Sequence, residues 1–188
     1  MTLHLAEVKA YSVLEELQGE AVPMFIANVG ITPHSTDFDN VYLQTPGILI
    51  EYIHDAFPLK HFPFKTDEVI WGDICEETIR KLNRISDLGL LNEDIRSENL
   101  LIQPADTAFR EIFVHFARSY TRDLYYSDTD WIESKRRQHE EARLGGFMAN
   151  MMAYSKSTGK GKNRKRYKGN APLPFMSVLI AIECLVIL

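Results

Sequence analysis

Cysteine is scarce in this chain of 188 residues: the two present, Cys75 and Cys184, lie too far apart for a paired metal-ligand motif. Asn-x-Ser/Thr sites are missing altogether. Neither a disulfide scaffold nor a glycosylated secreted domain is expected, and a reducing interior suits the composition. Glycine and proline are few, 10 and 8, which excludes collagen-like and low-complexity chains. Met1–Ala10 carries Glu7 and no apolar run behind a basic cluster, so neither a secretory signal nor a transit peptide is expected. What the chain does have is 45% hydrophobic and 11% aromatic residues. That is enough to form a sizeable core, and 21.6 kDa is one domain or little more.

The net charge of −5 hides an asymmetry. Of the 26 acidic side chains only Glu183 lies beyond residue 152, whereas Lys156, Lys160, Lys162, Arg164, Lys165, Arg166 and Lys168 crowd one short stretch. Interleaved with Gly, Ser and Asn, residues 153–174 are expected to be a solvated, disordered basic linker, with nucleic acid, anionic lipid or an import receptor as open partners. Residues 175–188 are nearly all apolar but short for a membrane span and interrupted by Glu183. A membrane anchor, a buried element and an aberrant terminus all stay open for them. An intracellular location, cytoplasmic or nuclear, is expected for the body, residues 1–152.

Along that body, Ala6, Ala10, Val13, Leu14 and Leu17 recur at helical spacing, with Gly19 as the stop. The stretches 24–31 and 47–53 predict a strand hairpin. Residues 54–66 mix two prolines with three phenylalanines and predict a linker or lid. Ile70, Ile74, Thr78, Leu82 and Ile85 predict a helix over 67–88, ended by Gly89. A charged turn over 92–99 follows, then a hairpin of 100–102 with 109–114. A last helix is expected over 130–152, behind Asp128 and Asp130 and weakened by Gly145 and Gly146.

The charged turn carries the chemistry. Asp94 is followed five positions later by Asn99, within Asn92-Glu-Asp-Ile-Arg-Ser-Glu-Asn99 and just before the apolar Leu100-Leu-Ile102. A loop that leaves a helix and enters a strand presents both side chains on one rim. This segment resembles the catalytic loop of protein kinases. Glu7-Val-Lys-Ala-Tyr11 with Leu17-Gln-Gly19 is similar to a small-lobe helix of the kinase-like proteins common in filamentous fungi. Gly47 to Ile53 is similar to the strand entering the hinge of that family, and Asp130-Trp131 with Lys135, Gln138 and Glu140 to its C-terminal helix. The resemblance spans residues 6–152. It implies an α+β, partial protein-kinase-like fold, an incomplete small lobe joined to the core of a helical large lobe. It further implies ATP and Mg²⁺ as cofactors and phosphoryl transfer to a protein hydroxyl, with Asp94 as base, Asn99 as metal ligand, and the backbone of Glu51 and Ile53 at the adenine.

Departures from the pattern bear on activity. A Gly-rich loop and its partner Lys would precede Glu7, and this chain has only the first six residues there. His115, in Val-His-Phe-Ala, stands at the metal-binding Asp position, and imidazole is a poor ligand for hard Mg²⁺. Losing one preorganised group commonly costs on the order of 10²–10³ in rate. Phosphoryl transfer is therefore expected to be impaired or lost, as in a pseudokinase or a truncated product. The alternative is a non-catalytic protein-interaction module. Without an Lys partner Glu7 is expected to be structural, His115 a core histidine, and Trp131 a packing anchor.

Overall fold

The computed structural model describes residues 2–31, 45–105 and 108–158. Helix α1 (Leu3–Val13) begins where the Thr2 hydroxyl accepts the Leu5 N–H at 3.3 Å, and it buries Ala6, Ala10 and Tyr11. The periodic stripe predicted helix as far as residue 17. A 3₁₀ turn over Glu15–Leu17 takes that place, and Leu14 and Leu17 are still fully buried. The chain then reverses at Gly19, whose φ of +78° is a conformation a side chain resists, and a Cβ there would press on the Met24 sulfur at 3.1 Å.

Strands β1 (Phe25–Ile31) and β2 (Thr45–Ile50) form the expected antiparallel hairpin, with Ala27 opposite Leu49 and Val29 opposite Gly47. Residues 54–66 differ from the expected linker or lid. They form a short strand β3 (Phe57–Pro58), a 3₁₀ turn (Leu59–His61) and a one-turn helix α2 (Phe62–Lys65). Phe57, Leu59 and Phe62 are all buried in the core. The reason is apolar area: two Phe and a Leu are too much hydrophobic surface to leave in water when the packed core can take them, and Phe64 is partly covered as well.

Helix α3 (Trp71–Asp87) buries Ile74, Thr78, Leu82 and Ile85, as its stripe predicts, whereas Ile70 ends a 3₁₀ turn (Glu68–Ile70) before the helix and is only partly buried, with Trp71 buried beside it. Beyond Gly89 (φ +84°) comes β4 (Leu90–Asn92), which pairs with β7 (Ser119–Thr121), Leu91 lying opposite Tyr120. Between them, β5 (Leu100–Pro104) and β6 (Phe109–Phe113) form the anticipated hairpin, and β3 adds to β5 as a third strand. The chain finishes in α4 (Asp128–Gln138) and α5 (Glu140–Thr158).

One helix was expected over 130–152. The break falls at His139, in left-handed conformation with φ +47°, while Gly145 and Gly146 lie inside α5. The start is capped by Ser127, whose hydroxyl accepts the Asp130 N–H at 3.1 Å, and Asp128 and Asp130 occupy the first turn where the helix dipole favours acids. Helix α5 continues past residue 152, into the expected linker, because Ser155 is buried and donates to the Pro63 carbonyl at 3.3 Å. The rest of the linker and the segment 175–188 lie outside the described residues. Among the described residues no helix is long and apolar enough to cross a membrane.

Candidate active site

The 92–99 turn is clamped between β4 and β5, so its two informative side chains are held by strands on both sides. They meet: the Asn99 Nδ2 donates to the Asp94 carboxylate Oδ2 at 2.9 Å and to the Asp94 carbonyl at 3.0 Å. Arg96 Nη2 donates to the same Oδ2 at 2.6 Å. Asp94 keeps 17% of its side chain exposed, and Asn99 is buried. With Oδ2 engaged twice, the second carboxylate oxygen is the one that can take a further donor, such as a hydroxyl. Next to Asn99, Glu98 is held below the usual carboxylate range by hydrogen bonds from Ser97 and from Lys60, the latter at 3.2 Å.

Beneath the turn, Asn92 is almost wholly buried and holds two backbones together. Its Oδ1 accepts the Asp94 N–H at 2.9 Å, and its Nδ2 donates to the His115 carbonyl at 3.3 Å. The Val114 N–H reaches the Asn99 carbonyl at 2.9 Å. The segment 114–116 is therefore tied to the turn at two points. His115 has φ +65°, so the chain turns sharply there and sends Phe116 into the core at 0% exposure. Glu7 Oε1 accepts the Phe116 N–H at 3.2 Å, and the ring of Phe116 meets Tyr11 edge-on at 5.7 Å. Tyr11 in turn stacks tilted on Phe25 at 5.5 Å. The Tyr11 hydroxyl is pushed well above its ordinary pKa by burial first and by the Glu7 and Glu51 charges second. Glu7 thus ties α1 to the 114–116 turn, a structural task.

At the hinge-like strand end, the Glu51 side chain is not turned to solvent. Its carboxylate accepts from Arg110 at 3.3 and 3.4 Å and from the Met24 N–H at 3.0 Å, and its own N–H donates to the Met24 carbonyl at 2.8 Å. Ile53 is half-buried, and Tyr52 is packed edge-on against His54 at 4.6 Å. Trp131 meets Tyr125 edge-on at 5.2 Å, which is a packing contact.

Two participants were not legible as such. Asn92 was legible only as the first residue of the charged segment, yet it is the bracket of the site. Glu140 was read as one residue of a terminal helix, yet its Oε1 accepts the Asn92 N–H at 2.6 Å. Burial pushes the Glu140 carboxyl up to about 7, against the lowering effects of the Asn92 hydrogen bond and of Lys135 and Arg143.

WaaP, a kinase-like enzyme solved in complex with acyl carrier protein, superposes with a TM-score of 0.50 at 16% identity, over 85% of this chain and 76% of that one. The fold is protein-kinase-like. The kinase-like chain is also similar to the Rio2 kinase–ADP/Mg²⁺–phosphoaspartate complex from Chaetomium thermophilum, with a TM-score of 0.46 and 16% identity, over 86% of this chain and 55% of that one. Scans against protein-family models and curated proteins find no match. Over most of its length the chain has a partial kinase-like fold of mixed helix and sheet.

The kinase-like frame raises the question of Mg²⁺. A hard, octahedral ion wants several oxygen donors. The turn offers the Asn99 amide and an Asp94 carboxylate already bound by Arg96 and Asn99, and the neighbouring chain offers an imidazole, His115. Among the described residues no group of three His, Cys, Asp or Glu side chains gathers as a metal site. The donor set does not fit Mg²⁺ as it stands.

Proposed function

We propose that this is a kinase-like protein of the kind common in filamentous fungi, in which the reacting loop is kept while phosphoryl transfer to protein hydroxyls is impaired or lost. Within that reading Asp94 is the base and Asn99 the residual metal-side amide. Glu51 and Ile53 offer backbone groups to adenine, and the partner is a protein. The observation that carries it is the pair Asp94–Asn99, in contact on one turn that is tied through Asn92 to the backbone of His115, the residue that the resemblance sets against a metal-binding carboxylate. The loop retains the proton acceptor and lacks the oxygen ligands that would neutralise the charge of a transferring phosphoryl group. WaaP, seen with acyl carrier protein, is in keeping with a protein partner.

A second reading, a non-catalytic interaction module, is favoured by the same hydrogen bonds. Asp94, Arg96 and Asn99 satisfy one another, which is also what a purely structural turn would do.

The test is thermal melting with ATP, with and without Mg²⁺, together with a phosphotransfer assay. The expected result is a saturable rise in Tm with ATP, changed little by Mg²⁺, and no transfer. Mg²⁺-dependent transfer that Asp94→Ala reduces by about 10² or more would refute the loss of activity. No shift at millimolar ATP would leave the interaction module.

A further inference from the structure

We propose that residues 160–168 of this same chain, the basic run that follows α5, dock in an acid-walled apolar groove beside the first half of α3. The inference goes beyond the kinase-like reading and does not depend on what the 92–99 turn does. Between α3 and the β5–β6 hairpin lies a cavity of about 530 Å³. Ile70, Ile74 and Phe109 supply its apolar surface, and Asp73, Glu76, Glu77 and Glu111 its acids. Two of those acids are already engaged: Glu77 holds Arg80 at 2.6 and 2.8 Å, and Lys81 meets the Glu111 carboxylate from the interior at 3.0 Å. Asp73 and Glu76 are exposed, and among the described residues neither pairs with a cation. A groove so lined accepts a segment that brings cations to the rim and an apolar ring or stem to the floor.

The occupant follows from where α5 delivers the chain. Lys156, the first cation of the basic run, is already seated at the approach to α3: its Nζ lies 2.6 Å from Glu68 Oε1 and 5.7 Å from the centre of the Trp71 ring. Glu68 opens the 3₁₀ turn that ends at Ile70, a residue of the groove. Helix α5 finishes at Thr158, and Arg164 is six residues further on, an extended reach of about 20 Å. Along α3 the groove is shorter than that, since Asp73 and Arg80 are separated by about 10 Å of helix rise. The run supplies Lys160, Lys162, Arg164, Lys165, Arg166 and Lys168 for the acids and the Tyr167 ring for the floor, with no acid of its own. Each exposed ion pair is weak. A short tether, however, holds the run at an effective concentration of roughly millimolar, so several weak pairs act together.

The experiment places a nitroxide at residue 163 of the full chain, by Asn163→Cys with Cys75→Ser and Cys184→Ser, and reads the backbone amides by NMR. Those of Asp73, Glu76 and Phe109 are expected to lose most of their signal relative to the reduced label, while Ala27 and Val29 in the β1–β2 hairpin keep theirs and report an intact fold. Asp73→Asn with Glu76→Gln removes the unpaired charge of the groove without touching the core, and it should restore the signals. Sodium chloride at about 1 M, where the Debye length is about 3 Å, should do the same. Glu133→Gln on α4 must leave the broadening in place. A check without any label is limited digestion by trypsin, which should cut within 160–168 several-fold faster in the Asp73→Asn, Glu76→Gln chain than in the unaltered one; equal rates overturn the proposal. Absence of broadening at the α3 and β6 amides also overturns it and leaves the basic run to an external polyanion such as nucleic acid. Broadening that the double variant does not relieve, or that arises only when spin-labelled and isotope-labelled chains are mixed, refutes docking within one chain, the latter in favour of a second copy. No readout involves nucleotide or phosphotransfer, so failure of the kinase-like reading would leave this result unaffected.

Discussion

Two glutamates are buried among the described residues, and they are held differently. Glu111, on β6, is 1% exposed and meets Lys81 of α3 at 3.0 Å, and the same ammonium donates to the Glu111 carbonyl at 3.2 Å. Glu77 stands 3.5 Å from Lys81 on the outer side. Glu140, 7% exposed, has a backbone N–H as its close partner, and its cations stand further off. Burial is the leading cause that raises both carboxyls, and the two differ in what they hold: Glu111 meets a buried lysine and ties helix to sheet, whereas Glu140, raised to about 7, meets a backbone N–H.

The comparison can be broken most forcefully at Lys81. Lys81→Met strands the Glu111 carboxylate, with an expected loss of about 3–5 kcal/mol in urea unfolding at neutral pH. Adding Glu111→Gln to that variant should recover much of the loss, since a neutral pair carries no unpaired charge. A single-variant cost below about 1 kcal/mol would mean the pair is not the tie described here.

The pH dependence sharpens the contrast. The Glu140 carboxyl lies at about 7 in the folded chain against an ordinary 4.5, so between those values the native state holds a proton that the unfolded state has released. Its stabilising contribution is complete below 4.5 and is lost as pH climbs through about 7. The loss is at most on the order of 3 kcal/mol. Glu140→Gln should flatten that slope in unfolding measured at a series of pH values, and an unchanged slope would assign it to other groups. The smallest effect is expected at the surface. Arg137 and Glu133 pair one turn apart on α4 with 73% and 56% of their side chains exposed, and Arg137→Ala should move stability by no more than about 0.5 kcal/mol. A larger change would show that exposure is a poor guide to ion-pair strength in this chain.

Much of the architecture is readable residue by residue, and the failures have physical causes. The α3 stripe and the hairpin β5–β6 are local patterns long enough to show their period. Strands β4 and β7 have three residues each and pair across the 92–99 turn and the whole β5–β6 hairpin, so neither shows a period of its own. The proline-broken stretch at 54–66 reads as a linker or lid because proline interrupts periodicity, yet Phe57, Leu59 and Phe62 are drawn into the core by their apolar area. Residues 130–152 read as a single helix weakened at Gly145 and Gly146, but the break falls at His139 and both glycines lie within α5, whose Leu144 and Met148 pack in the core.

The order of residues alone determined that Asp94 and Asn99 share one short polar segment and that acids and bases are separated along the chain. Their spacing is covalent, so no fold is needed to read it. Only the tertiary structure decided that Asn99 spends its amide on Asp94, that Asn92 brackets the turn, and that Glu140, 48 residues from Asn92, supports it from below. Those are choices among hydrogen-bond partners, and a buried donor takes whichever acceptor the packed chain brings to it, however distant in sequence.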